Sequence, residues 1–438
     1  MWDFETDPDY QEELDWVDGF VRDRVEPLDF VLTSPFDKSD RQATAIVAPL
    51  QEEVRRRGLW ACHLGPELGG QGYGQLKLAL LNEILGRSRW APSVFGCQAP
   101  DSGNAEILAH FGTPEQKQRY LQPLLDGEIS SCYSMTEPHG GSDPTLFTVR
   151  AVRDRDGWVI NGEKWFSSNA RYADFLLVMA VTDAEVSAYQ GMSMFIVPAD
   201  TPGVEIVRNV GVATEPPGQG EHGGVRHDHA YLRYHDVRVP LDHLLGGEGQ
   251  AFAIAQTRLG GGRIHHAMRT VALARRAFDL MCERAVSRQV RGGPLASMQI
   301  TRERVADSWL DVECFRLLVL RTAWLIDKHQ DYKVVRKDIA AVKAMLPRVL
   351  HDVAQRALHL HGALGASNEM PFSRMMIAAE VLGIADGPTE VHKVTLARQV
   401  LRQYAPYDGL FPSGHLPTRR AEAMARIAEM LEHEAAQV

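Results

Sequence analysis

The apolar pattern of this chain changes period twice, and that change constrains the fold more than any other feature. Through roughly the first 130 residues apolar side chains recur at helical spacing. Leu14, Val17, Phe20, Val21 and Val25 lead, and the segments near 44–58, 76–87 and 114–125 repeat the pattern. From 131 to 242 it shortens to β-rich runs such as Trp158-Val159-Ile160, Phe175 to Met179 and Met194 to Val197. Asp156-Gly157 and Asn161-Gly162 supply hairpin turn signals, because these residues tolerate positive φ. Beyond the turn at Gly247 to Gly249, helical stretches return near 250–288, 299–328 and 333–360, with short breaks that favour antiparallel neighbours. The order predicts an α+β multidomain protein: a helical domain over 1–130, an antiparallel β domain over 131–242 and a helical bundle over 243–404. Pro406, Gly409, Pro412 and Gly414 mark a linker in the remaining segment, 405–438, whose end, Thr418 to Ala435, is again helical in pattern. Gly211 to Ala230, rich in Gly, Pro and His, reads as a long loop.

At 438 residues, 45% hydrophobic and 24% charged, the composition is that of a globular protein. The formal charge of -10 is spread without a long basic run, which argues against a nucleic-acid or anionic-membrane surface and for a metabolite enzyme. No apolar run is long enough to span a bilayer. The acidic start, Met1 to Asp7 followed by Glu12, Glu13 and Asp15, is the opposite of a secretory or transit sequence. Cys62, Cys97, Cys132, Cys282 and Cys314 are odd in number, widely spaced and without a CxxC pair. A disulfide framework or zinc cluster is therefore not expected, and a cytoplasmic location is.

Two stretches carry chemistry. In Cys132-Tyr133-Ser134-Met135-Thr136-Glu137-Pro138-His139-Gly140-Gly141-Ser142-Asp143, adjacent glycines, hydroxyls and backbone amides can wrap a phosphate-bearing or carbonyl-rich ligand. The plainer alternative is a domain-joining turn capped by Ser and Asp. In Lys164-Trp165-Phe166-Ser167-Ser168-Asn169, an indole can lie against a flat heterocycle while Ser167 bonds the ring edge, although Trp165 alone would serve equally as sheet core.

Together these stretches resemble the acyl-CoA dehydrogenase family, over essentially residues 5 to 405. Thr136 to Asp143 matches the family's Thr-Glu-Pro-x-x-Gly-Ser-Asp pattern. Lys164-Trp165-Phe166-Ser167 approaches its Lys-x-Trp-Ile-Thr-Asn pattern, with the intervening residue missing or shifted. Pro66 to Gly72 and Gly112 to Lys117 are also similar to family stretches, and His359 to Gly365 resembles Gln-x-x-Gly-Gly-x-Gly with His359 for Gln and Ala363 for one Gly. Ala385 to His392 most resembles the subfamily with Ala-Asp-Gly-Pro-x-Glu-Val-His; its animal members join the domain to a kinase-like domain, whereas these 438 residues are expected to hold the dehydrogenase alone.

The resemblance implies an N-terminal helical domain, a middle antiparallel β domain and a C-terminal four-helix bundle, with FAD as cofactor and an acyl-CoA as substrate. It implies that Tyr133, Met135, Thr136, Gly141 and Ser142 contact the flavin and its pyrophosphate, that Trp165 packs on the isoalloxazine, and that Ser167 stands for the flavin-bonding Thr. Arg288 and Gln299 would reach the pyrophosphate in a neighbouring subunit, although Val290-Arg291-Gly292 replaces the usual Phe-Gly there; a homodimer or homotetramer follows. His359, Gly362, Ala363, Pro388 and Glu390 would complete the cofactor site, and Ser142, Arg263 and Gly387 would meet substrate. Electron-transferring flavoprotein is the implied acceptor, or oxygen in a related acyl-CoA oxidase. A flavin-binding protein without dehydrogenase activity, in a DNA-protective or assembly role, is the alternative. His265, His266, His359 and His361 read as satisfied helix or loop histidines, and no metal is expected because partners at ligand spacing are missing.

α,β-Desaturation of a thioester needs a base, a planar electron acceptor and a polarised carbonyl in one dry cavity. The family's Tyr-Glu-Gly-Thr stretch corresponds to Ala385-Asp386-Gly387-Pro388, which makes Asp386 the candidate base. A free Asp, with a pKa of about 3.9, is a weak base, so burial is expected to raise it. Arg263 is expected to steady it electrostatically. Gly260 to Gly262, where some family members carry the base, offers no carboxylate. A turn-initiating, helix-capping role for Asp386 is the bland alternative, and Glu380 and Glu390 are the nearest rival carboxylates.

Overall fold

Apolar stripes at helical spacing close the N-terminal domain around α1 (Pro8–Phe20), α2 (Arg41–Arg56), α3 (Gly74–Leu85) and α4 (Asp101–Phe111). In this computed structural model, which describes residues 4–37, 39–66, 70–212 and 228–435, α1 buries Tyr10, Leu14, Val17 and Phe20. α2 starts where the Asp40 carboxylate accepts from the Ala43 amide at 3.0 Å, and it buries Ala43, Val47, Leu50 and Val54 against the same core.

The middle region is one eight-stranded sheet: β1 (Ser131–Ser134), β2 (Arg150–Asp154), β3 (Gly157–Ser168), β4 (Phe175–Val181), β5 (Met192–Pro198), β6 (Val204–Val210), β7 (His229–Pro240) and β8 (Leu244–Leu245). The strands run in the order β6-β7-β3-β2-β4-β5-β8, with β1 beside β4. β4 and β5 are buried on both faces, between two separate apolar clusters, which is why they read as continuous apolar runs rather than alternations. The sheet is mixed, not wholly antiparallel, since β1 pairs with β4 in parallel and β2 meets β4 in parallel at Arg150 and Val181.

The two expected hairpin signals separate. Asp156-Gly157 closes the β2–β3 hairpin, whose last pair is Asp154 with Gly157. Asn161-Gly162 makes no turn: it lies inside β3, at a register shift against β7, with Gly162 at φ 133°. A bulge requires the same backbone freedom as a turn, so the dipeptide alone does not distinguish them. The loop expected over 211–230 ends sooner, because β7 starts at His229; its interior, 213–227, lies outside the described residues, as do 67–69 of the Pro66 to Gly72 stretch.

The C-terminal region packs α5 (Ala251–Ser287), α6 (Gln299–His329), α7 (Arg336–His361), α8 (Phe372–Ile384) and α9 (Thr389–Leu401) around a shared core that includes Ile264, Met268, Val319, Leu346, Val353 and Phe372. The N-terminal domain is bolted to it. A side chain at Gly86 would come within 2.5 Å of the Arg269 Cα, and the Asp327 carboxylate on α6 accepts from the Gln75 and Leu76 amides at the start of α3. A last helix, α10 (Leu416–Ala435), exposes Leu416, Met424, Ile427 and Met430. Among the described residues no helix is long and apolar enough to cross a membrane.

Candidate active site

Four residues separate α8 from α9, and the chain reverses there through two positive φ values, 56° at Asp386 and 103° at Gly387. Asp386 adopts this conformation at a cost of order 1 kcal/mol or more, and the surroundings impose it. Lys343 Nζ donates to the Leu382 and Ala385 carbonyls at 2.7 and 2.9 Å. Arg263 Nε and His392 Nε2 both donate to the Asp386 carbonyl, at 3.2 and 3.3 Å. The backbone of the turn is thus pinned from three sides while the Asp386 carboxylate takes no hydrogen bond from the described residues. The His266 ring lies beside it, Nε2 4.0 Å from Oδ2, and a quarter of the Asp386 side chain remains accessible. Asp386 does not cap α9, which begins after Pro388 without a side-chain cap; Pro388 thus serves as the helix entry, and Glu380 and Glu390 are exposed.

The expected direction of the Asp386 pKa is overturned. Burial pushes the carboxyl up, but the charges of His266, Arg258, Lys343 and Arg263 outweigh it and hold the group below the usual Asp range. Burial also lowers His266 to about 4 and Lys343 to about 8. At neutral pH His266 is therefore neutral, and the lasting cations around the carboxylate are Arg258, Lys343 and Arg263. Arg263 reaches the carbonyl of Asp386 rather than its carboxylate, so its hydrogen bond positions the turn and only its charge acts on the carboxylate. The sequence reading missed Lys343, His266, Arg258 and His392. For Arg258 and His266 the available signal was helical spacing, since Arg258, Gly262 and His266 recur at i, i+4 and i+8 on one face of α5.

The glycine-bearing loop after β1 is held in shape by a buried ion pair. Lys164 Nζ donates to Glu137 Oε1 at 2.9 Å and to the Met135 carbonyl at 2.7 Å. The Glu137 carboxylate also accepts from the Thr148 amide and hydroxyl and the Val149 amide. The Trp165 amide donates to the Thr136 carbonyl at 2.8 Å, so the two motifs are stitched together. The Thr136 and Ser142 hydroxyls find no partner among the described residues, and space is open within 4 Å of a side chain built at Gly141. Free donors, hydroxyls and open glycine backbone fit the demands of a pyrophosphate-bearing flavin. Tyr133 lies deeper, its ring 3.9 Å from the Arg258 guanidinium and its hydroxyl 3.6 Å from Met135 Sδ.

β3 turns Ser167 into the sheet. Between Lys164 and Ser167 the register with β7 slips, so three steps on β3 oppose two on β7 and the inward alternation is displaced by one. Ser167 is wholly buried and its hydroxyl bonds Ser134, which in turn bonds Tyr234; it faces the sheet core. The next hydroxyl, Ser168, is only half-buried and lies 2.8 Å from His229 Nδ1. Trp165 packs against Tyr231 and beneath the Arg208 guanidinium, whereas Phe166, at φ 51°, is 41% exposed with its ring stacked on His229. Without a gap, Lys164 to Asn169 fits Lys-x-Trp-Ile-Thr-Asn with Phe166 at the aromatic position and Ser168 at the hydroxyl position.

The remaining residues lie on the bundle. A two-stranded hairpin, Gln289–Val290 with Gly293–Pro294, brings the exposed Arg288 and Gln299 to one end of α5 and α6. His359, Gly362 and Ala363 are exposed where α7 ends, with open space beside Gly362. His361 is satisfied, Nδ1 lying 2.8 Å from the Ala357 carbonyl, but His265 is not: its buried Nε2 has no partner. No group of three or more metal-ligating side chains occurs among the described residues.

This geometry coincides with known proteins along the whole core of the chain. The N-terminal, middle and C-terminal domains of acyl-CoA dehydrogenase match residues 7–128, 132–219 and 249–401. The probable acyl-CoA dehydrogenase FadE2 of Mycobacterium tuberculosis is 42% identical over 83% of this chain and 87% of its own length. Acyl-CoA dehydrogenase family member 11 of Gallus gallus is 38% identical over 89% of this chain, which spans about 50% of that longer protein. Butyryl-CoA dehydrogenase from Megasphaera elsdenii superposes with a TM-score of 0.76 at 27% identity, covering 92% of this chain and 100% of that one. Three matched domains in order, together with a relative 42% identical over most of both chains, place the chain in the acyl-CoA dehydrogenase family, an oxidoreductase family whose cofactor is FAD.

Proposed function

We propose that this chain is an FAD-dependent dehydrogenase that desaturates an acyl-CoA thioester between its α and β carbons, with Asp386 as base. The observation that carries the reading is the Asp386 carboxylate: ionised by its cationic surroundings, free of hydrogen bonds and fixed by a pinned turn. The carboxylate takes the α proton. Gly387, whose amide donates no hydrogen bond among the described residues, is suited to polarise the thioester carbonyl as negative charge develops there. FAD, when bound, supplies the acceptor for the hydride that leaves the β carbon as the double bond forms. Arg263 and Lys343 keep the base in line by holding the backbone on either side of its side chain. Thr136, Gly141 and Ser142 take the pyrophosphate end, with Tyr133 and Met135 beside the ring. Phe166 and Ser168 take the roles first assigned to Trp165 and Ser167. Arg288, Gln299, His359, Gly362 and Ala363 are suited to a cofactor in a second subunit of a homodimer or homotetramer, and Glu390 to the rim of that site. Electron-transferring flavoprotein in the cytoplasm is the proposed acceptor, and the five free cysteines suit a reducing compartment.

Anaerobic mixing with a panel of acyl-CoAs tests the reaction. At least one should bleach the flavin, and Asp386→Asn should retain FAD and slow bleaching by about 10²–10⁴-fold. Near-normal bleaching by that variant rejects Asp386 as base, and a panel without effect rejects the dehydrogenase reading.

A further inference from the structure

The Asp386 backbone is pinned by neighbours of its own turn, but the strongest lasting charge on its carboxylate comes from elsewhere. Of the groups that hold the carboxyl low, His266 is neutral at neutral pH, and Arg258 then acts more strongly than Lys343 or Arg263. Lys343 and Arg263 spend hydrogen bonds on carbonyls of α8 and the turn. Arg258 is held instead from the N-terminal domain.

Arg258 Nε donates to the Asn104 side-chain oxygen at 2.9 Å. Asn104 is wholly buried, and its Nδ2 donates to the Ser131 hydroxyl at 2.9 Å. That hydroxyl and the Ser131 amide both donate to Asp101 Oδ1, at 2.6 and 2.8 Å. One chain of bonds thus joins Asp101 and Asn104 on α4, Ser131 on β1 and Arg258 on α5, a member from each of the three domains. Gly103 leaves the room it needs: a Cβ there would come within 3.1 Å of Arg258 Cγ and 3.2 Å of Nε. So placed, the guanidinium lies 3.9 Å from the centre of the Tyr133 ring, a cation–π contact that fixes both groups.

The other titratable groups around Arg258 leave its charge standing where a carboxylate titrates. Glu106 on α4 is pushed up to about 7 by burial, and burial likewise raises the Cys132 thiol and the Tyr133 phenol on β1, so all three are neutral in acid. His266 and His392, each lowered to about 4, gain charge only there and then add to that of Arg258, Lys343 and Arg263.

We propose that Arg258 is a positioning residue for the reaction: gripped by Asn104, it fixes Tyr133 and supplies a stationary positive charge to Asp386, so that the N-terminal domain sets the base. This rests on the dehydrogenase reading and adds to its machinery a residue outside the Asp386 turn. A charge already held in place needs no reorganisation as the reaction proceeds.

The test follows the Asp386 carboxyl directly, by infrared difference spectra of the holoenzyme with and without Asp386→Asn across a pH titration. Arg258→Met should move that titration upward by about one pH unit, since a carboxylate that loses a nearby cation binds its proton more readily. The acid limb of anaerobic flavin reduction should move with it. Arg258→Lys keeps the charge but not the fork that reaches Asn104 while covering Tyr133, and should recover part of the shift. Asn104→Ala leaves the guanidinium present but unheld, and should shift the titration the same way by less. If Arg258→Met or Asn104→Ala does not fold, Arg258→Lys decides by the presence of a smaller upward shift. A carboxyl that titrates as in the wild type when Arg258 is replaced overturns the inference, even where flavin reduction is slowed, because a merely structural loss leaves that titration in place. A wild-type flavin that no acyl-CoA bleaches removes the dehydrogenase reading, while the infrared titration still decides whether Arg258 acts on Asp386.

Discussion

Two lysines, one in the β domain and one in the bundle, are almost completely buried, and the molecule uses them in opposite ways. Lys164 and Lys343 are 0% and 2% exposed, and burial lowers both to about 8. Lys164 meets a carboxylate whose oxygens accept four hydrogen bonds, so the charges and donors of that site cancel internally. Lys343 has no carboxylate in contact among the described residues; it holds two carbonyls and leaves its charge to act on Asp386 across the turn. A closed network fixes a shape, as the loop between β1 and β2 requires. An open one leaves field and donors for chemistry.

The comparison breaks most sharply at Glu137. Glu137→Ala strands Lys164 unpaired in the core, and unfolding in urea should show a loss of about 3–5 kcal/mol, with FAD released as the loop loosens. A loss under about 1 kcal/mol would mean that water replaces the carboxylate and that the pair is not structural.

A smaller, different effect is expected at Lys343. Lys343→Met should slow anaerobic flavin reduction by about tenfold, an interaction of about 1.4 kcal/mol, and move the acid limb of kcat/KM upward, because Asp386 loses a cation that holds its pKa down. Stability carries its own signature. Between about pH 8 and 10.5 the unfolded lysine keeps a proton that the folded one has released, so wild-type stability rises with pH across that window relative to the variant. A parallel pH dependence of the two proteins would show that Lys343 is not the depressed group.

The smallest effects distinguish adjacent serines. Ser168→Ala should weaken FAD binding or shift the flavin absorption by the equivalent of about 1 kcal/mol, with folding unchanged, whereas Ser167→Ala should leave the spectrum alone and cost about 1 kcal/mol of stability through the Ser134 and Tyr234 hydroxyls. The reverse outcome restores Ser167 as the flavin ligand.

Much of this architecture was legible because it depends on local periodicity. Helical spacing from Leu14 onward, the doubly buried runs at Phe175 and Met194 and the long bundle helices each reflect which faces must leave water. The motif residues were legible for a related reason: Glu137, Lys164 and Asp386 stand in short stretches with fixed neighbours. The role of Glu137 and Lys164 as a buried pair was not, because it joins residues 27 positions apart.

By itself the sequence determined the three-part order and singled out the glycine-bearing loop and Asp386 as candidates. Only the tertiary structure decided which serine of β3 turns inward, since a one-residue slip against β7 reverses every side chain that follows. It also decided the charge on Asp386. Arg258, Arg263 and Lys343 converge on it from two helices more than 40 residues away in the chain, and a pKa depends on distance in space, to which local sequence is blind.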